Sequence, residues 1–390
     1  MEPEINILSG GLPVLPKPAD TTGETAPKYG FLSDINKDFN PVPSKLSLEE
    51  RFKLIRSIGP ECVQEDELLE RLKEPRLLRA YDGFEPSGRM HIAQGILRAI
   101  NVNKLVDAGC VFIFWVADWF ALLNNKFNGD LEKIKLVGRY FIEVWRAAGM
   151  KMSNVQFLWA SEEINKKSQE YWMTVMDIAR KNTISRIKRC ATIMGRNEGD
   201  DLSTAQLLYP CMQCTDIFFL NIDICQLGID QRKVNILARE YKTEGKKPII
   251  LSHDMILGLL EGQVKMSKSN PDSAIFVEDT EEDIKRKIKK AFCKEKEVKD
   301  NPIMDYVKNI IMQARSEFVI ERPEKWGGNL KYTSYEDFEK DYVEGKIHPG
   351  DLKPSVARVI NELIEPIRKH FETNEEAKRL LETIRSFKTE

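Results

Sequence analysis

The sequence has no apolar run long enough to cross a bilayer: the longest, Val111 to Val116, has the length of a single strand. It also lacks a disulfide framework. Its 7 cysteines are odd in number and follow no framework spacing, which fits a reducing compartment better than a secreted scaffold. Cys211-x-x-Cys214 invites a zinc or redox reading, but no second Cys or His pair stands nearby, and four ligands are usual. No protein-bound metal is therefore expected. The first forty residues contain no arginine and no secretory apolar core, and they carry Glu2, Glu4, Asp20 and Glu24. That argues against a mitochondrial, chloroplast or secretory presequence. The expected address is cytoplasmic, with no membrane partner. Net charge is scarce too, at −2, so nucleic-acid binding has to come from local basic patches. There is no internal repeat and no low-complexity block. What is present is a chain of 390 residues, enough for two ordinary domains and a sizeable core.

Residues 1–44 are rich in Pro, Gly and Thr without periodicity and read as a mobile leader. Order is expected from Ser47-Leu48-Glu49-Glu50, a capping box that opens a helix stopped by Gly59-Pro60. A second helix spans about Glu65 to Lys73 and ends before Pro75. Leu77 to Tyr81 and Val111 to Val116 are apolar on both faces, as strands of a covered parallel sheet are. Ile222 to Ile224 and Lys247 to Leu251 read as further strands, with helices over Tyr209 to Phe219 and Gln231 to Glu240. From Leu131 to Arg196 the texture is mostly helical. Past Asp279 it turns to short, charged amphipathic helices, the last over Pro354 to Phe371.

Two stretches carry the chemistry. The first runs from Leu77 to Gly109: a strand, the turn Gly83-Phe84-Glu85-Pro86-Ser87-Gly88, then a helix with His91 in its first turn and Gly109 at its end. Such a unit aims a helix N-terminus, with free N–H groups and partial positive charge, at an anion. The second is Lys265-Met266-Ser267-Lys268-Ser269. Together, the Pro-x-x-x-x-His turn and the Lys-Met-Ser-Lys-Ser segment resemble the paired motifs of class I aminoacyl-tRNA synthetases. The residues between them are similar to the tyrosyl-tRNA synthetase family of archaea and eukaryotes, over about Leu46 to Phe371.

The resemblance implies a doubly wound, parallel-sheet, Rossmann-like catalytic domain over 45–262 with a helical connective insertion at about 131–208. A lysine loop and linker would follow at 263–279, then a helical anticodon-binding domain over 280–390. It implies ATP-dependent ligation of L-tyrosine to tRNA(Tyr), magnesium accompanying ATP, and a homodimer. His91, Lys265 and Lys268 would be catalytic. Gly83, His91, Gln94, Gly228, Lys265, Ser267 and Lys268 would bind ATP. Tyr81 and Asp216 match the positions that hydrogen-bond the phenol hydroxyl; Tyr209, Gln213 and Gln231 match those that hold the α-amino end. This family is itself the standing example of a site rejecting phenylalanine by about 10⁵, because the missing hydroxyl strands its buried partners.

Independently of any resemblance, Tyr209, Gln213 and Asp216 fall at i, i+4 and i+7, a polar stripe on one helix face. Burying it unpaired would cost about 1–3 kcal/mol per group. The sequence also departs from the family pattern, reading His91-Ile92-Ala93-Gln94 in place of His-Ile-Gly-His, with Leu227 replacing the first glycine before Gly228. The basic run with Arg186, Lys188 and Arg189 is either a solvated helix face or a contact to RNA phosphate, the second in keeping with the connective insertion. Asp351 is either an anticodon reader or a helix cap, and Asp118 either a ligand contact or a cap. The alternatives in function are a tryptophanyl-tRNA synthetase and a catalytically silent RNA-binding paralogue.

Overall fold

The apolar runs of the sequence become the centre of one sheet. The computed structural model describes residues 34–190, 201–242, 244–263, 266 and 270–387. Besides a separate antiparallel pair in the C-terminal part, Phe318–Ile320 on Leu330–Tyr332, where only helices were expected, its strands form one sheet: β1 (Glu61–Val63), β2 (Leu78–Phe84), β3 (Cys110–Val116), β4 (Val155–Trp159), β5 (Ile224–Gly228) and β6 (Ile249–His253). They lie in the order β1-β6-β5-β2-β3-β4. Every neighbouring pair is parallel except β1 on β6. β3 is buried along its whole length, as a strand covered on both faces must be. After β4 the chain returns to the other side of β2 and lays down β5. The order of winding therefore reverses between β2 and β5, and open α/β sheets bind ligands at the carboxyl ends of strands at such a reversal.

Helix signals in the sequence hold at several ends. Ser47 and Glu50 form the reciprocal capping box of the helix Leu48–Arg56. The helix Arg98–Asp107 stops at Gly109, whose φ of +82° is the left-handed conformation expected after a C-cap. Its entry is less regular: Ala93–Leu97 is a single π-helical turn, a widening that recurs at functional sites.

Other elements differ from expectation. β4 lies inside the stretch read as helical, because its five residues gain strand character only from pairing with β3. β5 starts at Ile224 and runs on to Gly228, beyond the expected Ile222 to Ile224. The final long helix spans Pro349–Thr373, accommodating Pro354 and Pro366. Order begins before Lys45. Asn36 donates to the carbonyl of Phe157, Val42 N to Asn154, and the Ser44 hydroxyl to the carbonyl of Asp107. The C-terminal helices pack on the helix Leu131–Ala147 through Glu143 with His370 (2.9 Å) and Tyr140 with Phe371. Ile35–Glu390 thus forms one compact unit. No helix among the described residues is long and apolar enough to cross a membrane.

Candidate active site

At the β2/β5 reversal lies a cavity of about 300 Å³. β2 contributes Tyr81, Asp82, Gly83 and Phe84, β5 ends in it with Gly228, and β6 with His253. His91, Ala93 and Gln94 come from the histidine turn, Tyr209, Gln213 and Asp216 from the helix Thr204–Phe219, and Asp230 and Gln231 from the loop after β5. The family resemblance implies tyrosine contacts for Tyr81, Tyr209, Gln213, Asp216 and Gln231 and ATP contacts for Gly83, His91, Gln94 and Gly228. The fold puts both groups on the walls of one cavity. Lys265, Ser267 and Lys268 lie outside the described residues.

At the deep end Asp216 is fully buried, and Oδ1 accepts a hydrogen bond from the hydroxyl of Tyr171 (2.8 Å). Its Oδ2 and the indole N–H of Trp115 make no well-formed hydrogen bond among the described residues, although that N–H lies close enough to the carboxyl to favour its charged form. Burial drives the Asp216 carboxyl well above its ordinary value, against the opposing pull of Tyr171 and Trp115. Tyr81 is 1% exposed, and burial together with the nearby Asp216 pushes its phenol upward, so it stays a neutral donor and acceptor. A Cβ at Gly83 would lie 3.2 Å from the Tyr81 hydroxyl, so a glycine there keeps that hydroxyl uncrowded. A buried acceptor beside a buried donor–acceptor suits a ligand hydroxyl.

Nearer the mouth, the Tyr209 hydroxyl donates to Glu85 Oε1 (2.5 Å), which also accepts from Asn124 (2.6 Å). Gln213 donates to Gln231 (3.1 Å). A carboxylate and two amides around an opening suit an ammonium group. On the other side Arg98 is paired with Asp82 (2.8 Å). Burial raises the Asp82 carboxyl to about 6, with Arg98 opposing the shift and Asp230 adding to it. His253 shares a hydrogen bond with Gln226 (2.7 Å), and burial, helped by Arg98, lowers it to about 3, so its ring is neutral. At Gly228 a Cβ would meet Asp230 Oδ1 at 2.7 Å and Met255 Sδ at 2.9 Å. The backbone of Gln94 accepts from Trp145 (2.8 Å), while its side-chain Oε1 is buried with no partner among the described residues.

Several residues escaped the sequence reading. Tyr171 belongs to the separate helix Ser168–Lys181, and no local pattern marks it. Glu85, Asp82 and Arg98 sit in the unit already singled out, where a charged residue beside a glycine turn was the available signal.

Other candidates fall elsewhere. Asp118 is fully buried and accepts from Trp119 N, Ser161 N and the Ser161 hydroxyl, tying the end of β3 to the helix Ala160–Lys166 outside the cavity. Cys211 and Cys214 are buried thiols, that of Cys211 pushed up to about 11 by burial. Arg186 pairs with Glu240 (2.6 Å), Lys188 is half-buried and Arg189 is exposed. Asp351 is not the cap of the last long helix: that is His348, whose Nδ1 accepts from Gly350 N (2.9 Å).

With this geometry in place, the comparisons with known proteins agree. A family model described as class I tRNA synthetases for tryptophan and tyrosine matches residues 73–365. A protein of Arabidopsis thaliana named tyrosine–tRNA ligase 1, cytoplasmic, is 58% identical over 344 residues, 87% of this chain and 89% of that one. A Leishmania major tyrosyl-tRNA synthetase solved with tyrosinol is 52% identical with a TM-score of 0.81. The match covers 88% of this chain, which spans about half (53%) of that longer one. A Pyrococcus horikoshii tyrosyl-tRNA synthetase complexed with L-tyrosine is 35% identical with a TM-score of 0.80, over 87% of this chain and 100% of that one.

Proposed function

The chain belongs to the class I tRNA synthetases of the tryptophan and tyrosine group, on the tyrosyl branch, and from that premise we propose that it activates L-tyrosine with ATP and transfers it to tRNA(Tyr). The single observation that carries the proposal is the shared cavity, with the phenol-type end and the phosphate-type turn on its walls. Tyrosine lies with its hydroxyl donating to Oδ2 of Asp216 and accepting from Tyr81. Its ammonium meets Tyr209, Gln213 and Gln231, with the Glu85 carboxylate supplying the opposite charge.

The tyrosine carboxylate is already ionised at neutral pH, so attack on the α-phosphorus needs no general base. The C–O–P bond forms, the bond to the β-phosphate oxygen breaks, and pyrophosphate leaves. What the protein must supply is in-line placement and stabilisation of charge on the five-coordinate phosphorus. His91 donates to phosphate from the turn. Lys265, Ser267 and Lys268 do so from the lysine segment, on the strength of their sequence motif alone. Gly83, Gln94 and Gly228 frame the nucleotide. ATP enters as its magnesium complex, the metal belonging to the substrate. In the second step a terminal ribose hydroxyl of tRNA attacks the adenylate carbonyl: the tyrosyl ester forms, the acyl–phosphate C–O bond breaks, and AMP leaves, its phosphate able to take the hydroxyl proton.

The RNA contact is assigned to Arg189 and Lys188 on the insertion, with Arg186 held by Glu240. Asp351 and the exposed Trp326 serve the anticodon end, where unstacked bases are read by stacking and edge hydrogen bonds. A homodimer through the exposed Met173, Met176 and Ile184, and a cytoplasmic location in keeping with the Arabidopsis relative's name, complete the proposal.

The test is amino-acid-dependent pyrophosphate exchange with tyrosine, tryptophan and phenylalanine. Exchange with tyrosine alone is expected. Exchange with tryptophan in its place would move the chain to the other branch, and no exchange with retained tRNA binding would make it a silent paralogue.

A further inference from the structure

A short stretch, Ala274 to Val277, pins the histidine turn to the C-terminal helices. His91 and Phe276 form an isolated antiparallel bridge. Ile92 N donates to the carbonyl of Ile275 (2.8 Å), and Val277 N to that of Met90 (3.0 Å). The fit is close: a Cβ on Gly95 would lie 2.6 Å from Val277 Cγ1. Ala274, Ile275, Phe276 and Val277 are all buried.

Asp279 closes this stretch. Its Oδ2 accepts from Phe276 N (2.8 Å) and from Nζ of Lys287 (2.6 Å). Lys287, on the helix Glu281–Lys290, also donates to the carbonyl of Ala274 (3.0 Å). Its ammonium lies 4.9 Å from the Phe276 ring centre, against which Arg89 packs at 4.1 Å. From the far side Arg368 of the helix Pro349–Thr373 donates to the backbone carbonyl of Asp279 (2.8 Å).

Lys287 is 3% exposed and Asp279 4%. Lysine is among the residues least often buried so completely. An ion pair withdrawn from water is also weak grounds for stability, because desolvation offsets the attraction. This pair does something an apolar pair could not: one ammonium and one carboxylate fix the backbone at Ala274 and Phe276 together.

We propose that Lys287 and Asp279 are positioning residues for the activation step. They set Phe276, Phe276 sets His91, and the helix Glu281–Lys290 thereby holds the phosphate-facing turn in register. The inference rests on the assignment of His91 to phosphate made above.

Lys287→Met keeps most of the stem and removes both hydrogen bonds. The expected result is a fall in kcat for tyrosine-dependent pyrophosphate exchange of about 10²-fold, the loss that follows misplacement of a reacting group by about 1 Å. KM for tyrosine stays essentially unchanged, because Tyr81 and Asp216 are held by β2 and the helix Thr204–Phe219. Asp279→Ala, which removes the acceptor of both Phe276 N and the Lys287 ammonium, shows the same split, and it carries the test if Lys287→Met does not fold. An unaltered kcat in a folded variant would overturn the inference. So would a parallel loss of tyrosine affinity, the mark of a structural role alone. Absence of exchange in the unsubstituted chain would instead bring down the proposed function, and this inference with it.

Discussion

Two aspartates set the character of the cavity, and burial raises the carboxyl of each. Asp216 keeps one oxygen on Tyr171, and its other oxygen is the one proposed to meet the ligand hydroxyl. Asp82 is held by Arg98, yet burial still lifts it to about 6 from its ordinary 3.8. The sign of the consequence is fixed by linkage. A group raised in the folded state binds its proton more tightly there than in the unfolded chain. Its contribution to stability is complete below about pH 3.8 and is lost as pH rises through about 6. Urea unfolding across that window should show a declining component in the wild type that is missing from Asp82→Asn. Parallel curves for the two proteins would show that Asp82 titrates normally.

At the scale of elements, legibility followed range in sequence. β2, β3 and β6 are apolar runs bounded by turn residues and were readable as strands. The capping box at Ser47 and the glycine at Gly109 fixed helix ends for local backbone reasons. The stripe Tyr209, Gln213 and Asp216 was visible as a helical period, and the helix Thr204–Phe219 presents all three to the cavity. β4 was hidden because its five residues become a strand only by pairing with β3, some forty residues earlier. Tyr171 was hidden for the same reason: its hydroxyl meets Asp216 across 45 residues of chain, and nothing beside it in sequence announces the meeting. Asp118 and Asp351 show the converse. Each had a chemical reading and a capping reading. The structure spends Asp118 on backbone amides, and it gives the cap expected of Asp351 to His348.

Over the whole molecule, the C-terminal helices are packed onto the nucleotide fold rather than tethered to it, through Glu143 with His370 and through the Asp279 contacts. The flank formed by the helices Ser168–Lys181 and Ile184–Cys190 exposes apolar side chains: Met173, Met176 and Ile184 are 58%, 54% and 68% exposed. If that flank is the interface of the proposed homodimer, replacing Met173 and Met176 with glutamate should shift the sedimenting species. The expected change is from twice the 45.0 kDa chain to a single chain, and an unchanged dimer would place the interface elsewhere. The central claim is that one compartment receives the aromatic amino acid and the nucleotide end to end. A non-hydrolysable tyrosyl-adenylate mimic measures this most directly, by competition against each substrate separately. Competitive displacement of tyrosine and of ATP alike is expected. Displacement of one with the other still free to bind would contradict it.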